Sequence, residues 1–331
     1  MSERTLSVIG LGLIGGSLLR AAASAGWKVR GTAASEATVT AARDAGFDVT
    51  SSIEDVLADA ADSPTLVVLA VPLPAVVDVL PLVARHAPGC RLTDVVSVKQ
   101  PVAAAVARLA PSARYVGGHP MAGTSASGWA AGSATLFNGA SWVVASDDGA
   151  DPVVWAQVAR LALDCGAHVV PAGVQDHDAA VARVSHLPHL LAAVLASVGA
   201  DGGPLAMSLS AGSFTDGTRV AASAPELVRA MCEGNRSALL AAVDDALGRL
   251  GAARGSLAST GGLAATIQAG HQARQAFDAI RNGARGDTMH LDLTTPGAFT
   301  RLRDLAQQGA RVVALHDTHC QLDITTWPRG T

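Results

Sequence analysis

Gly10-Leu11-Gly12-Leu13-Ile14-Gly15 decides the first half of the fold. It follows a β-branched run, Thr5–Ile9, and leads directly into an Ala/Leu-rich stretch, Gly16–Ala25. Strand, glycine turn and helix in that order are what a dinucleotide site requires. Gly10 permits the tight turn, Gly12 lets a pyrophosphate approach the backbone, and Gly15 lets helix and strand pack closely, with the phosphates on the helix N-terminus. Leu13 and Ile14 belong to the same candidate cofactor loop, and Val71 and Pro72, after the strand Leu66–Ala70, are expected beside it.

Such a site expects an acid at the tip of the second strand, ~20 residues on, to bond the ribose hydroxyls. The tip reads Gly31-Thr32-Ala33-Ala34-Ser35-Glu36, with no acid at that place. Thr32 and Ser35 are the candidate contacts. Glu36 offers the nearest carboxylate, whereas Arg30, Thr32 and Ser35 suit a 2′-phosphate, so NAD is expected with NADP as the alternative.

Outward from the loop, β-branched runs alternate with Ala-rich stretches. Strands are predicted at Lys28–Gly31, Leu66–Ala70, Arg91–Asp94, Arg114–Val116, Trp142–Ala145 and His168–Val170. Helices are predicted at Glu36–Ala45, Ile53–Ala60, Ala75–Ala84, Pro101–Ala110 and Asp151–Cys165. The alternation is that of βαβ units with a parallel sheet, giving an α/β fold whose residues 1–172 form a Rossmann-type dinucleotide-binding domain. From 173 to 285 strands vanish, and Gln175–Ala200, Pro225–Gly251 and Thr260–Ile280 read as long Ala/Leu helices of an all-helical substrate and dimerisation domain. Residues 286–331 return to a small βαβ-like tail, with a strand at Met289–Leu293, a helix at Pro296–Gln308 and a strand at Arg311–Leu315.

Composition bounds the function. The 331 residues are 49% hydrophobic and only 16% charged, which excludes a disordered chain. A net charge of −4 provides no field for a phosphate backbone, so nucleic acid is not an expected partner. The mean hydropathy of +0.32 is high, yet no uninterrupted run approaches the ~20 apolar residues of a membrane span, and the N-terminus lacks a signal-peptide pattern. Cys90, Cys165, Cys232 and Cys320 lie far apart, as free thiols of a reducing compartment do. A cytoplasmic protein that handles a small molecule is expected.

Tyr115, the single tyrosine, is followed by Val-Gly-Gly-His, so a Tyr-x-x-x-Lys catalytic pair is absent. Histidine is then the natural base near neutral pH. His119 lies in Gly117-Gly118-His119-Pro120-Met121-Ala122-Gly123-Thr124, after a strand at its C-terminal end, where doubly wound sheets place ligands. In Ser185-His186-Leu187-Pro188-His189 two histidines share a helix face, but no further ligand accompanies them and no metal is assigned. His177 and the remaining histidines carry no constellation.

These stretches carry a resemblance. Gly-Leu-Gly-Leu-Ile-Gly-Gly-Ser at 10–17, Thr-Asp-Val-Val-Ser-Val-Lys at 93–99, Gly-Gly-His-Pro-Met-Ala-Gly at 117–123, Ser127-Gly128, Leu136-Phe137, Trp142 and Ser-His-Leu-Pro-His at 185–189 resemble the prephenate/arogenate dehydrogenases of tyrosine biosynthesis. The resemblance runs from about residue 5 to 240. It implies oxidative decarboxylation of a cyclohexadienyl substrate, with a nicotinamide cofactor taking the hydride, in a homodimer. It makes His119 the catalytic base at the ring C4 hydroxyl, with Ser97 beside it and Thr124 lining the pocket. It brings His186 and His189 in from the helical domain, His189 foremost, and gives Arg219 a substrate carboxylate to clamp. A β-hydroxyacid-type dehydrogenase is the enzymatic alternative, but residues 173–285 lack the lysine it would use. A nicotinamide sensor without catalysis is the other.

Overall fold

A computed structural model describes residues 4–324, apart from 62, 125 and 283–285. The first unit runs β1 (Thr5–Ile9), α1 (Leu13–Ser24), β2 (Lys28–Thr32), α2 (Glu36–Asp44), β3 (Val49–Thr50), α3 (Ile53–Ala58), β4 (Leu66–Leu69), α4 (Leu73–His86), β5 (Arg91–Asp94), α5 (Gln100–Leu109) and β6 (Arg114–Tyr115). Its strands form a wholly parallel sheet in the order β3-β2-β1-β4-β5-β6. This is the doubly wound arrangement, and the direction of winding reverses between β1 and β4, where such sheets bind ligands. β4 is Leu-Val-Val-Leu, and β1, which also holds Thr5 and Ser7, is otherwise Leu, Val and Ile, because both their faces are covered. One buried cluster packs α4 and α5 on one side, and a second, larger cluster packs α1 on the other.

Trp142–Ala145 and His168–Val170 were expected in the same parallel sheet, but they belong to a second one. β7 (Gly118–Pro120), β8 (Ser141–Ala145), α6 (Pro152–Asp164) and β9 (His168–Ala172) start it, with β7 antiparallel and β9 parallel to β8. The chain then leaves for the helices α7 (Val174–Val181), α8 (Leu187–Asp201), α9 (Gly203–Ser208), α10 (Gly212–Thr218), α11 (Pro225–Gly234), α12 (Arg236–Ser259) and α13 (Ala264–Asn282). It returns as β10 (Thr288–Asp292), α14 (Ala298–Gln307), β11 (Ala310–His316) and β12 (His319–Ile324). These complete a six-stranded sheet in the order β10-β12-β11-β9-β8-β7.

The C-terminal segment is therefore a split βαβ unit, with β12 inserted antiparallel between β10 and β11, and it does not stand apart. β11 joins β9, Trp155 of α6 packs against Phe299 of α14, and Arg303 bonds the Ser146 carbonyl and Asp148. The helical segment is thus an insertion between two strands of one sheet.

The helix expected over Pro225–Gly251 breaks at Asn235, a buried residue whose amide is taken up elsewhere. A five-residue π-helical turn, Ala182–His186, joins α7 to α8 without a break, so Val174–Asp201 is one 28-residue helix. Its length and apolar composition reach those of a membrane span, contrary to the expectation from uninterrupted runs. Its inner face nevertheless carries buried His177, Asp178 and His186, while Val184, Leu191, Val194 and Val198 face outward and exposed.

Candidate active site

The glycine loop has the geometry that its sequence demands. Gly10 adopts φ +101° and donates to the Thr32 carbonyl at 2.9 Å, tying β1 to the tip of β2. A Cβ on Gly15 would collide with the Gly10 carbonyl oxygen. Gly12 caps α1 with no side-chain hydrogen bond, and a Cβ there would meet nothing within 4 Å. The space beside Gly12 at the start of α1 is thus open, and a helix N-terminus with open space before it is the cradle a phosphate fits. Ala70 and Val71 lie against Gly10, so the end of β4 walls the loop, and Pro72 caps α4 next to it. Gly15→Ala is expected to cost about 1–3 kcal/mol, the usual range for forcing atoms into packed space. Thermal unfolding with and without dinucleotide checks this, and a variant still stabilised by the ligand as wild type is would contradict the reading of the loop.

At the tip of β2, Thr32 is buried with its hydroxyl unpartnered, and Ser35 caps α2 by accepting from the Thr38 N–H. Arg30 is committed to acids, pairing with Asp59 and, at 3.4 Å, with Asp48.

His119 sits on β7, just beyond the C-terminal ends of β5 and β6, and is 8% exposed. Its Nδ1 lies 2.8 Å from Nε2 of His177 on α7, and His177 Nδ1 lies 2.7 Å from Asp178 Oδ1. Asp178 also accepts from the backbone N–H groups of Lys99 (2.8 Å) and Gln100 (2.9 Å), capping α5 from the helical domain. Burial pushes its carboxyl up, but the bonds from His177, Gln100 and Lys99 together hold it below the usual carboxylate range. It is an anion, and it fixes every proton in the chain. His177 must donate from Nδ1 to Asp178, leaving its Nε2 bare, so His119 must donate from Nδ1 to His177. The far nitrogen of His119, Nε2, is then an unprotonated acceptor, held in one tautomer as in an acid–histidine–nucleophile triad.

The same logic runs through Asn235. Its Nδ2 donates to the Asp178 carbonyl at 2.7 Å and to His186 Nδ1 at 3.1 Å, so His186 carries its proton on Nε2, which has no partner. His186 is completely buried, and burial pulls its pKa down to about 4. Where the sequence suggests a substrate contact, the structure buries this side chain against Asn235, which it braces beside the Asp178 carbonyl. His189, half-buried, donates from Nδ1 to the Ser185 carbonyl at 2.8 Å, which leaves its Nε2 as an acceptor.

Beneath His119 lies a second buried group. Lys99 is inaccessible, pairs with Asp94, and donates to the Gly118 carbonyl at 2.6 Å. Tyr115 donates to the other Asp94 oxygen at 2.6 Å. A Cβ on Gly117 would fall 2.9 Å from the Tyr115 hydroxyl, and one on Gly118 2.8 Å from the Asp94 carbonyl, so the Gly-Gly before His119 exists to admit this network.

Other predicted residues stand further out. Ser97 follows β5 and, among the described residues, makes no hydrogen bond, so His119 takes its orientation from His177 rather than from Ser97. Thr124 is exposed and accepts from the Ala126 N–H at 3.2 Å. Arg219 is exposed in a short 3₁₀ turn, Arg219–Ala222, that packs against α8, the helix of His189. Among the described residues no three His, Cys, Asp or Glu side chains gather as a metal site.

Sequence reasoning missed His177, Asp178, Lys99 and Asn235. A signal existed for two of them: Val174, His177, Asp178 and Val181 have the i, i+3, i+4, i+7 spacing of a core-facing stripe, with polar residues at two of its four positions.

Comparison with known proteins agrees with this layout. Residues 17–171 match the family profile described as prephenate dehydrogenase, nucleotide-binding domain, and residues 174–260 the one described as prephenate dehydrogenase, dimerization domain. A prephenate dehydrogenase of Bacillus subtilis is 31% identical over 73% of this chain and 67% of its own length. A cyclohexadienyl dehydrogenase of Zymomonas mobilis is 32% identical over 78% of this chain and 89% of its own. A solved protein of Corynebacterium glutamicum superposes with a TM-score of 0.87 at 45% identity, covering 93% of this chain and 98% of that one.

Proposed function

The chain belongs to the prephenate dehydrogenase family, and from that premise we propose that it oxidatively decarboxylates a cyclohexadienyl acid, prephenate or arogenate, in tyrosine biosynthesis. The products are 4-hydroxyphenylpyruvate or tyrosine, together with carbon dioxide. The observation that carries the reading is the His119–His177–Asp178 chain, which leaves a bare nitrogen at the ligand-binding end of the sheet.

His119 Nε2 accepts the proton of the ring C4 hydroxyl. A dinucleotide held by its pyrophosphate at the Gly10–Gly15 loop would supply the hydride acceptor for C4, and loss of the ring carboxylate as carbon dioxide would leave the ring aromatic. The imidazolium formed on His119 is stabilised through His177 by the Asp178 carboxylate, without further proton movement. Arg219 and His189, on adjoining elements of the helical domain, hold the substrate's carboxylate and polar groups, and Ser97 and Thr124 line the cleft. NAD is the cofactor of this reading, and the pairing of Arg30 with Asp48 and Asp59 supports it, since those carboxylates offset the charge a 2′-phosphate would use.

The test is to mix the protein with NAD or NADP and with prephenate or arogenate, following nicotinamide reduction. Turnover with NAD and one of the two acids is expected. No reduction with any pair would overturn the reading and leave a sensor.

The protein is a soluble, cytoplasmic homodimer in this reading. Leu191, Val194 and Val198 of α8, Leu205 of α9 and Leu209 just after it are all 48% or more exposed, and so many large apolar side chains left in water support burial against a second copy. Light scattering at micromolar concentration should give the mass of a dimer, and a monomer would contradict this.

A further inference from the structure

Lys99 is one of two lysines in the chain, and it is wholly buried, as are Asp94 and Asp178 beside it. A charge is kept in such a place only when it is paired and hydrogen-bonded. Here both ends of the residue are used. Its ammonium pairs with Asp94 and donates to the carbonyl of Gly118, the residue before His119. Its backbone N–H, at the start of α5, donates to Asp178, the last member of the histidine chain. One residue therefore touches both the strand that carries His119 and the carboxylate that sets its tautomer.

Building on the dehydrogenase reading, we infer that Lys99 is a positioning residue for His119, holding its strand and its relay in register with one side chain and one backbone bond. His177 of α7, Lys99 and His186 of the π-helical turn act on His119 directly, and behind them stand Asp178 on His177, and Asp94 on Lys99 with Tyr115 of β6 bonded to it. Among them Lys99 is a cation that opposes protonation of His119, and Asp94 keeps that cation in place.

Lys99→Met removes the ammonium and keeps the volume. Because it leaves Asp94 buried and unpaired, Lys99→Met/Asp94→Asn is made beside it to remove both charges and keep the fold. Both variants should lose about tenfold or more in kcat with KM within about threefold, the pattern of a lost transition-state contribution. In both, the acid limb of the pH profile should move to higher pH. Histidine-detected NMR, with His119→Asn to assign the resonance, should show His119 taking up its proton at higher pH than in wild type.

A double variant with wild-type kcat and an unmoved His119 titration would overturn the inference. A fall in kcat with no change in the titration or the pH profile would also overturn it, as that is what loosened packing alone gives. If wild type oxidises neither acid, the dehydrogenase reading fails, while the NMR titration still decides the role of Lys99.

Discussion

His119→Asn should lower kcat by about 10²–10⁴, the usual worth of a positioned base, and leave nucleotide affinity unchanged. The glycine loop that carries the nucleotide is built on β1, β2 and β4, whereas His119 is on β7 of the other sheet. Steady-state turnover and calorimetric titration of NAD separate the two effects. A variant with wild-type kcat would remove the base from His119. The pH dependence follows from the same site. Burial first, then the neighbouring His177, Lys99 and His186, hold the His119 pKa well below its ordinary value of 6.5. The neutral form required for catalysis therefore persists below pH 6.5, and kcat/KM should decline only as pH falls further, through the depressed native value. A decline centred at or above 6.5 would contradict the assignment. Stability moves the same way. The unfolded chain protonates His119 and His186 near 6.5 and the native one resists, so stability is intact above that pH and is lost below it, down to about 4 for His186.

Asp178→Asn should fold and bind nucleotide, yet lose about 10²–10⁴ in kcat, comparable to the same exchange in a hydrolase triad. Gln100 N–H bonds Asp178 Oδ2, and an amide oxygen in that place keeps this bond at the start of α5, while the Lys99 N–H, which shares Oδ1 with His177, loses its acceptor. What changes is the proton order. An amide N–H turned toward His177 Nδ1 makes that nitrogen an acceptor, moves the His177 proton to Nε2, and so drives the His119 proton to Nε2, the nitrogen that should be bare. His119 is then present, correctly placed, and in the wrong tautomer. Wild-type turnover in this variant would show that the histidine chain has no part in the reaction, whereas loss of cooperative unfolding would show that Asp178 serves the fold first.

Much of the fold was legible because its elements follow local rules. β1 and β4 are short runs rich in Val, Leu and Ile, α6 begins with an Asp cap and a proline, and the glycine loop admits one geometry. What was not legible depends on partners distant in sequence. β7 is Gly-His-Pro, which has no strand propensity, and it is a strand because β8 pairs with it. β12, with His, Gln and Asp among its residues, is fixed by β10 and β11 on either side. Asn235 breaks a stretch that reads as continuous helix because its side chain is needed by Asp178 and His186.

The site divides in the same way. His119 announced itself through the glycines and proline around it. His177 lies in a helix whose apolar neighbours look like ordinary core, and only the folded chain reveals that it stands 2.8 Å from His119. His186, expected to reach the substrate, is turned inward by the π-helical turn and becomes a brace.

The insertion of the helices between β9 and β10 bears on how the chain matures. As it leaves the ribosome, the parallel sheet can close once β6 has emerged, and α7 can dock on it soon after. β9 then waits with one edge open while the whole helical segment is synthesised, because its partner β11 comes after it. An unpaired edge of this kind recruits strands from other molecules, and pairing across so long a separation is slow. Arrival of β11 and β12 is thus the step that seals the nascent protein, and premature termination in the helical segment leaves a chain with its nucleotide loop formed and a sticky strand exposed.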